Sequence, residues 1–188
     1  MQAAKFMDYT VPYGKGEMKF VLPDSIVVDI ISPKEVDPHP APEQAVREAL
    51  KLPRGGFSWG DFCKAQSAVI AINDKTRPVP HEVLLPPLLE KLDSLGISAE
   101  HIQLLIATGT HTPMTADEFP AILPEEILAR YKVISHDSDN QEDLKYLGIT
   151  ERGTPLWVNA RFAQADLKVV IGNIEPHQFQ GFSGGAKS

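Results

Sequence analysis

Two histidines and one arginine stand out as residues that could carry acid/base chemistry. Arg77 precedes Pro78 and lies close to a second proline, Pro80, so its backbone is restricted and its guanidinium could bind a carboxylate through two hydrogen bonds. His111 and His177 lie in separate polar segments. Inverting a stereocentre by removing and returning hydrogen requires a base on each side of the substrate, and a pair of histidines suits that chemistry.

Each of these residues also has a purely structural interpretation. Arg77 could form a surface salt bridge with Asp74, three positions earlier in the chain. His111 follows Gly109, which lets the backbone turn sharply, and a loop histidine is often simply solvated. His177 follows Pro176 and could cap a turn or a helix. From the residues alone, both interpretations stay open.

The glycine-rich run at residues 181–188 permits three interpretations. Residues 181–185 match the G-x-S-x-G elbow of α/β hydrolases, but that elbow joins a strand directly to a helix, and about nine residues separate Ile171 from Gly181. The run also falls one glycine short of a P-loop, because Ala186 stands where the motif requires glycine. The third interpretation is an open loop that presents Lys187 for covalent attachment of a bulky cofactor.

Residues 136–140 contain a histidine and two aspartates, His136, Asp137 and Asp139. The alternating aspartates could belong to a metal loop, but no distal carboxylate stands at a matching position. A turn with a helix cap is the better interpretation of this segment.

These residues are spaced by a repeating pattern of apolar runs and helical segments. Continuous apolar runs predict strands over residues 68–72, 102–107, 132–135 and 166–171, with a further strand over 27–31. Helices are predicted over residues 42–52 and 82–95, and another should end near Tyr131. The pattern predicts a three-layer α/β domain, in which a mostly parallel sheet has helices on both faces.

This architecture brings the polar segments together. Ligands of open parallel sheets bind outside the carboxyl ends of the strands. Residues 73–78, 108–111 and 172–188 each follow one of the predicted strands. We therefore expect Arg77, His111 and His177 to lie at one edge of the sheet.

Composition and charge narrow the possible functions further. The 188 residues carry 18 basic and 25 acidic side chains, a net charge of -7, which argues against a nucleic-acid surface. No apolar run approaches the length of a membrane span, and the N-terminus lacks an apolar signal core. The single cysteine, Cys63, fits a reducing compartment and is expected to be at least partly buried. These features predict a cytoplasmic protein that contacts neither nucleic acid nor membrane.

With these residues in view, the sequence resembles the nickel-dependent lactate racemase family, whose members use a nickel pincer nucleotide. The resemblance covers the chain from about Ala68 to its end. It is most specific in the last block, where a histidine and a lysine stand at the family's spacing. The segments that carry it are residues 74–78, 109–115, 136–137, 153–155, 159, 172–177 and 181–188.

The resemblance implies a role for each matching residue. Lys187 would tether the cofactor, while Asp74, Gly109 and Thr110 would line its binding site, the last two as donors to a phosphate. Arg77 would hold the substrate carboxylate. His111 and His177 would move the hydroxyl proton on either side of a small 2-hydroxy acid, coupled to reversible hydride transfer from the substrate carbon to the cofactor. Cofactor-biosynthesis enzymes would be partners.

The family's nickel-binding histidine lies beyond the tethering lysine, and a second domain closes its cleft. Neither has a counterpart within residues 1–188, so we expect an N-terminal catalytic and cofactor-tethering domain, incomplete at its C-terminus, without a metal ligand and inactive alone. Two other hypotheses remain open at this point. One is a serine hydrolase that uses the segment at residues 181–185. The other is a catalytically silent binding domain.

Overall fold

A computed structural model describes residues 5–32, 34–179 and 181–184. The chain divides into two compact units, Met1–Pro38 and His39–Ser188. In the first unit, strands β1 (Phe6–Tyr13) and β2 (Gly16–Pro23) form an antiparallel hairpin. Gly14 stands in its turn with a positive φ of 59°, a conformation that glycine adopts without strain.

The second unit begins with helix α1 (Pro42–Lys51), strand β3 (Ala68–Asn73), helix α2 (His81–Ser94) and strand β4 (Ile102–Ala107). Helix α3 (Glu125–Arg130) and strand β5 (Lys132–Ser135) come next. Strands β6 (Leu144–Ile149) and β7 (Pro155–Asn159) form a second antiparallel hairpin. Helix α4 (Ala160–Gln164), strand β8 (Leu167–Val170) and the short strands β9 (Pro176–His177) and β10 (Gly181–Phe182) complete the α-helices and strands of the described residues. Short 3-10 helices lie at Trp59–Phe62, Ala99–His101, Ala116–Ala121 and Gln141–Asp143.

Four strands of the second unit form a parallel sheet in the order β5-β4-β3-β8. The central strand β3 is buried along nearly its whole length, since Ile70 and Ile72 have no exposed surface. Such burial on both faces explains why the strands read as continuous apolar runs. The predicted parallel strands are confirmed.

Helices cover both faces of this sheet, as the sequence predicts. On one face, Ile70, Leu104 and Ile106 of the sheet pack with Leu85 and Leu92 of α2. On the other face, Val69 and Leu105 pack with Ala165 and Phe162 at α4. Successive residues of a strand point to opposite faces, so the two clusters lie on opposite sides of the same strands.

Two sequence predictions are wrong. Residues 27–31 form no strand, and the apolar side chains Val27, Ile30 and Ile31 are 90%, 77% and 93% exposed. Cys63, expected to be at least partly buried, is exposed. An apolar run predicts burial only where tertiary structure supplies a covering surface, and no described residue of the first unit covers this one. No helix among the described residues is long and apolar enough to cross a membrane.

Candidate active site

The site begins at a tight turn where β3 ends. The Arg77 N–H donates to the Asp74 carbonyl over 3.1 Å and closes the turn. The Asp74 side chain folds back, and its Oδ1 accepts hydrogen bonds from the Thr76 N–H at 2.8 Å and the Thr76 hydroxyl at 2.6 Å. Aspartate and threonine favour such turns because their side chains bond to backbone two residues away. Asp74 is only 4% exposed.

The second oxygen of Asp74 binds a histidine from the next strand of the sheet. Asp74 Oδ2 lies 2.7 Å from His111 Nδ1. His111 stands in a turn after β4 that the bond from its N–H to the Thr108 carbonyl closes at 3.0 Å. Gly109 occupies this turn with a φ of 59°. Asn73 and Ala107, the last residues of β3 and β4, are 34 positions apart in the sequence but are partners in the strand register. The two loops that follow them therefore meet, because β3 and β4 are parallel neighbours.

The protonation states of this pair follow from its hydrogen bonds. Burial raises the pKa of Asp74, but the hydrogen bonds from Thr76 and His111 outweigh burial, so the net pKa is lowered. The ionised carboxylate can only accept, so the proton of neutral His111 sits on Nδ1. Its Nε2 is then left with a free lone pair. The His111 side chain is 51% exposed, so this nitrogen can act as a base.

Arg77 follows in the same turn as Asp74, but its guanidinium forms no ion pair with the Asp74 carboxylate. Its Nη1 donates to the Thr76 carbonyl at 3.3 Å, and it forms no ion pair with any described residue. The alternative of a surface salt bridge with Asp74 is therefore not observed. The guanidinium remains able to bind an anion.

Most of the predicted site residues line one cleft of about 240 Å³. Its lining includes Asp74, Arg77, Gly109, Thr110 and His111. The chain that follows β8 closes the cleft from a third side, with Asn173, Ser183 and Gly184. Gly184 is required there, since a Cβ at this position would lie 2.6 Å from the Asn173 carbonyl oxygen.

His177 lies on the β9–β10 hairpin, which belongs to this third segment. His177 pairs with Gly181 across the hairpin, and its Nδ1 accepts from the Phe179 N–H at 3.2 Å. β8 is parallel to β3, so the segment leaves the same edge of the sheet as Asp74 and Arg77. His177 itself is not among the residues that line the cleft. Lys187 lies outside the described residues.

The hairpin also bears on the hydrolase hypothesis. Ser183 Oγ accepts from the Glu175 N–H at 3.0 Å and donates to the Asn173 carbonyl at 3.2 Å. The preceding Gly181–Phe182 strand pairs antiparallel with β9 and is not part of the parallel sheet. A nucleophile elbow needs a serine hydroxyl free to attack at the end of a central strand. Ser183 instead braces a hairpin, which argues against this hypothesis.

A second histidine at the same edge was not assigned a role from the sequence. His136 follows β5, and its Nδ1 lies 3.3 Å from the Asn159 amide nitrogen. The amide oxygen of Asn159 accepts from the Arg161 and Phe162 N–H groups at the start of α4. The amide NH₂ therefore faces His136 and can only donate, so neutral His136 carries its proton on Nε2.

His136 borders a second cleft of about 260 Å³ with Trp157 and Phe162. Ala107 and Gly109 line both clefts. The segment after His136 forms the predicted turn and cap: Asn140 Oδ1 accepts from the Glu142 N–H at 3.2 Å before a short helix at Gln141–Asp143. Within the described ranges, no three His, Cys, Asp or Glu side chains gather as a possible metal site.

A parallel α/β sheet whose carboxyl edge holds an aspartate-oriented histidine beside an arginine defines an enzyme-like domain with an acid/base site. The comparisons with known proteins give the particular family. Residues 13–188 match the lactate racemase N-terminal domain, and the chain belongs to that family.

Two curated relatives bear the name lactate racemase. The protein from Thermoanaerobacterium thermosaccharolyticum is 36% identical over 95% of this chain and 42% of its own length. The protein from Lactiplantibacillus plantarum is 33% identical over 78% of this chain and 34% of its own. The chain thus spans less than half the length of either relative.

Solved structures agree with this assignment. The lactate racemase apoprotein from Thermoanaerobacterium thermosaccharolyticum superposes with a TM-score of 0.81, covering 95% of this chain and 42% of that one. A protein from Thermotoga maritima superposes with a TM-score of 0.59 at 25% identity, covering 76% of this chain and 36% of that one. The family and the α/β fold predicted from sequence are both confirmed.

Proposed function

We propose that this chain is the N-terminal half of a nickel-dependent racemase or epimerase of small 2-hydroxy acids, with lactate as the first substrate to test. The observation that carries the proposal is a cleft lined by both an aspartate-oriented histidine, His111, and an arginine, Arg77, that forms no ion pair with any described residue. The curated relatives' names support the choice of reaction.

In this proposal, Arg77 binds the substrate carboxylate through two hydrogen bonds, which orients the adjacent carbon and its hydroxyl. His111 accepts the hydroxyl proton at Nε2, because its Nδ1–H is engaged by Asp74. The imidazolium that forms is stabilised by the neighbouring carboxylate. The same nitrogen returns the proton in the reverse direction.

His177 is proposed as the second acid/base, on the opposite side of the substrate. Its hairpin leaves the same sheet edge as Arg77, and two of that segment's residues, Ser183 and Gly184, line the cleft. A base on each side allows either enantiomer to lose and regain its proton.

The residues present fit the pincer nucleotide that the family resemblance implies. Asn73 Oδ1 is buried without a hydrogen-bond partner among the described residues, and Asn73 lines the cleft, so it could accept from a ligand hydroxyl. Gly109 and Thr110 present backbone and hydroxyl donors to a phosphate. Lys187 would tether the nucleotide, and Asp74 borders it while orienting His111. When bound, the cofactor supplies the acceptor for the hydride that leaves the substrate carbon.

The cleft is small for a nucleotide. At about 240 Å³ it falls below the roughly 300–1,000 Å³ typical of ligand sites. It can therefore enclose only part of such a ligand, and the remainder would project toward the opening. We further propose that the enzyme works in the cytoplasm with cofactor-biosynthesis enzymes as partners.

Covalent loading and racemisation test the proposal together. The full-length protein, co-expressed with cofactor-making enzymes, should gain a cofactor-sized mass and racemise L-lactate, measured by intact-mass spectrometry and chiral chromatography. Lys187→Ala and Lys187→Arg should lose both, since a guanidinium keeps its charge and cannot be acylated. Lys145→Ala, an exposed lysine on β6, is the matched control and should load normally.

Three results would contradict parts of this proposal. A mass increment that survives in Lys187→Ala would exclude the tethering role. Absence of both loading and racemisation in the wild type would favour a silent binding domain. Labelling of Ser183 by a fluorophosphonate would revive the hydrolase hypothesis.

A further inference from the structure

Among the described residues, one residue supplies two of the three hydrogen bonds to the Asp74 carboxylate. Both donors to its Oδ1 come from Thr76, the N–H at 2.8 Å and the hydroxyl at 2.6 Å. Oδ2 meets His111 Nδ1 at 2.7 Å. Asp74 is 4% exposed, so water has little access to replace a lost donor.

This arrangement determines the direction of the bond to His111. A carboxylate is planar, so holding one oxygen at two points leaves little freedom for rotation about the Cβ–Cγ bond. The Thr76 N–H belongs to the turn and would remain in any variant. Of the two donors to Oδ1, only the hydroxyl is therefore lost when the side chain at position 76 is changed.

We propose that Thr76 is a positioning residue for the acid/base site: its hydroxyl orients the Asp74 carboxylate so that Oδ2 holds the Nδ1 proton of His111 and leaves Nε2 facing the cleft. This inference rests on the proposed function only for its kinetic consequence. The hydrogen-bond chain from Thr76 through Asp74 to His111 stands independently of any reaction.

Other charged groups near His111 do not replace this chain. Arg77 lines the cleft on one side of His111. Lys75, Asp117 and Glu118 line a space on its other side, where Lys75 and Glu118 pair with each other. Among the described contacts, no side chain of these four residues hydrogen-bonds to the Asp74 carboxylate or to the His111 ring.

A threonine here could also serve only the turn, so the test must separate the two roles. Thr76→Val removes the hydroxyl at nearly constant shape, whereas Thr76→Ser retains it. Thr76→Ala is a second hydroxyl-free variant if valine does not fold. Thr150→Val is the matched control, because Thr150 Oγ1 also supports a turn, accepting from the Thr154 N–H at 3.1 Å, but in the β6–β7 hairpin.

The primary measurement is NMR of the 188-residue chain at about pH 8, where histidine is ordinarily neutral. The wild type, Thr76→Ser and Thr150→Val should show a His111 Nδ1 proton protected from exchange. In Thr76→Val its exchange should accelerate about tenfold or more, and the Asp74 carboxyl should titrate about one pH unit higher or more. In the full-length enzyme, kcat should fall about tenfold with little change in KM.

An unchanged Nδ1 proton and Asp74 titration in the folded hydroxyl-free variant would overturn the inference. So would loss of the Nδ1 proton in Thr76→Ser, because the hydroxyl would then not be what matters. If the wild type shows the predicted NMR signals and Thr76 dependence but neither gains the cofactor mass nor racemises a 2-hydroxy acid, the proposed function fails while the positioning role stands.

Discussion

Two histidines follow neighbouring strands of one parallel sheet, and their partners give them opposite chemistry. His111, after β4, meets the Asp74 carboxylate at Nδ1 and is left with a basic Nε2. His136, after β5, meets the Asn159 NH₂ group at Nδ1 and is left with an Nε2–H donor. The first can take a proton from a substrate, and the second can only offer a hydrogen bond while neutral.

The contrast depends on how each partner is itself held. Thr76 engages one oxygen of Asp74, and the first turn of α4 engages the oxygen of Asn159. In both cases the remaining atom is turned toward the histidine. Replacing the carboxylate of Asp74 by an amide, or the amide of Asn159 by a carboxylate, should therefore move the proton of the neighbouring neutral histidine to its other ring nitrogen.

The largest expected effect comes from Asp74→Asn. The Thr76 donors should keep the amide oxygen in place, so the NH₂ group faces His111 and forces its proton onto Nε2. Removing the orienting carboxylate should lower racemisation by the full-length enzyme about 10³-fold or more, measured by chiral chromatography. Near-UV circular dichroism should stay native. Retention of most of the activity would show that Asp74 does not set the state of His111.

A second effect appears in acid. Burial raises the pKa of Asp74, but its hydrogen bonds outweigh burial and lower the net pKa. Because the folded value lies below the ordinary value of about 3.9, the ionised carboxylate stabilises the fold above that pH, and this stability is lost as the pH falls through the folded value.

The wild type should therefore lose more unfolding free energy than Asp74→Asn as the pH drops below about 4. At neutral pH the variant should be less stable by about 2 kcal/mol, from the lost charged hydrogen bonds. Urea denaturation of both proteins across this range measures the difference. Parallel pH curves for the two proteins would contradict the assignment of a lowered pKa.

The smallest effect on stability is expected from Asn159→Asp. Aspartate caps a helix about as well as asparagine, so α4 should persist and stability should change by less than about 1 kcal/mol. The new carboxylate should move the His136 proton from Nε2 to Nδ1, which ¹⁵N chemical shifts report. Racemisation should change little, because His136 has no proposed part in the reaction. An Nε2–H tautomer that persists would show that Asn159 does not control His136.

The parallel core was predictable because its signal is local. Strands β3, β4, β5 and β8 lie between layers of helix, and most of their residues are apolar. The β1–β2 and β6–β7 hairpins were missed, since each exposes large apolar side chains such as Phe6 and Trp157 among polar ones. The strand predicted at residues 27–31 is wrong for a related reason: its apolar side chains stay exposed, so their apolar character does not report burial.

For the site, the sequence by itself determined which residues are available and which edge of the sheet they reach. Continuous apolar runs predict the strands that precede Arg77 and His111, and the observed parallel pairing of β3 and β4 agrees with that placement. Strand position and strand pairing follow from burial, and the apolar residues of each segment show in the sequence which segments are buried.

Only the tertiary structure decided which atoms meet. The Asp74 carboxylate bonds to the ring of His111, 37 positions away, and not to the guanidinium of Arg77. Asn159 selects the tautomer of His136 across 23 positions. Hydrogen bonds form over a few tenths of an ångström and a narrow range of angles. Strand register, the closing of two turns and the start of α4 set those distances together, and no single stretch of sequence contains them.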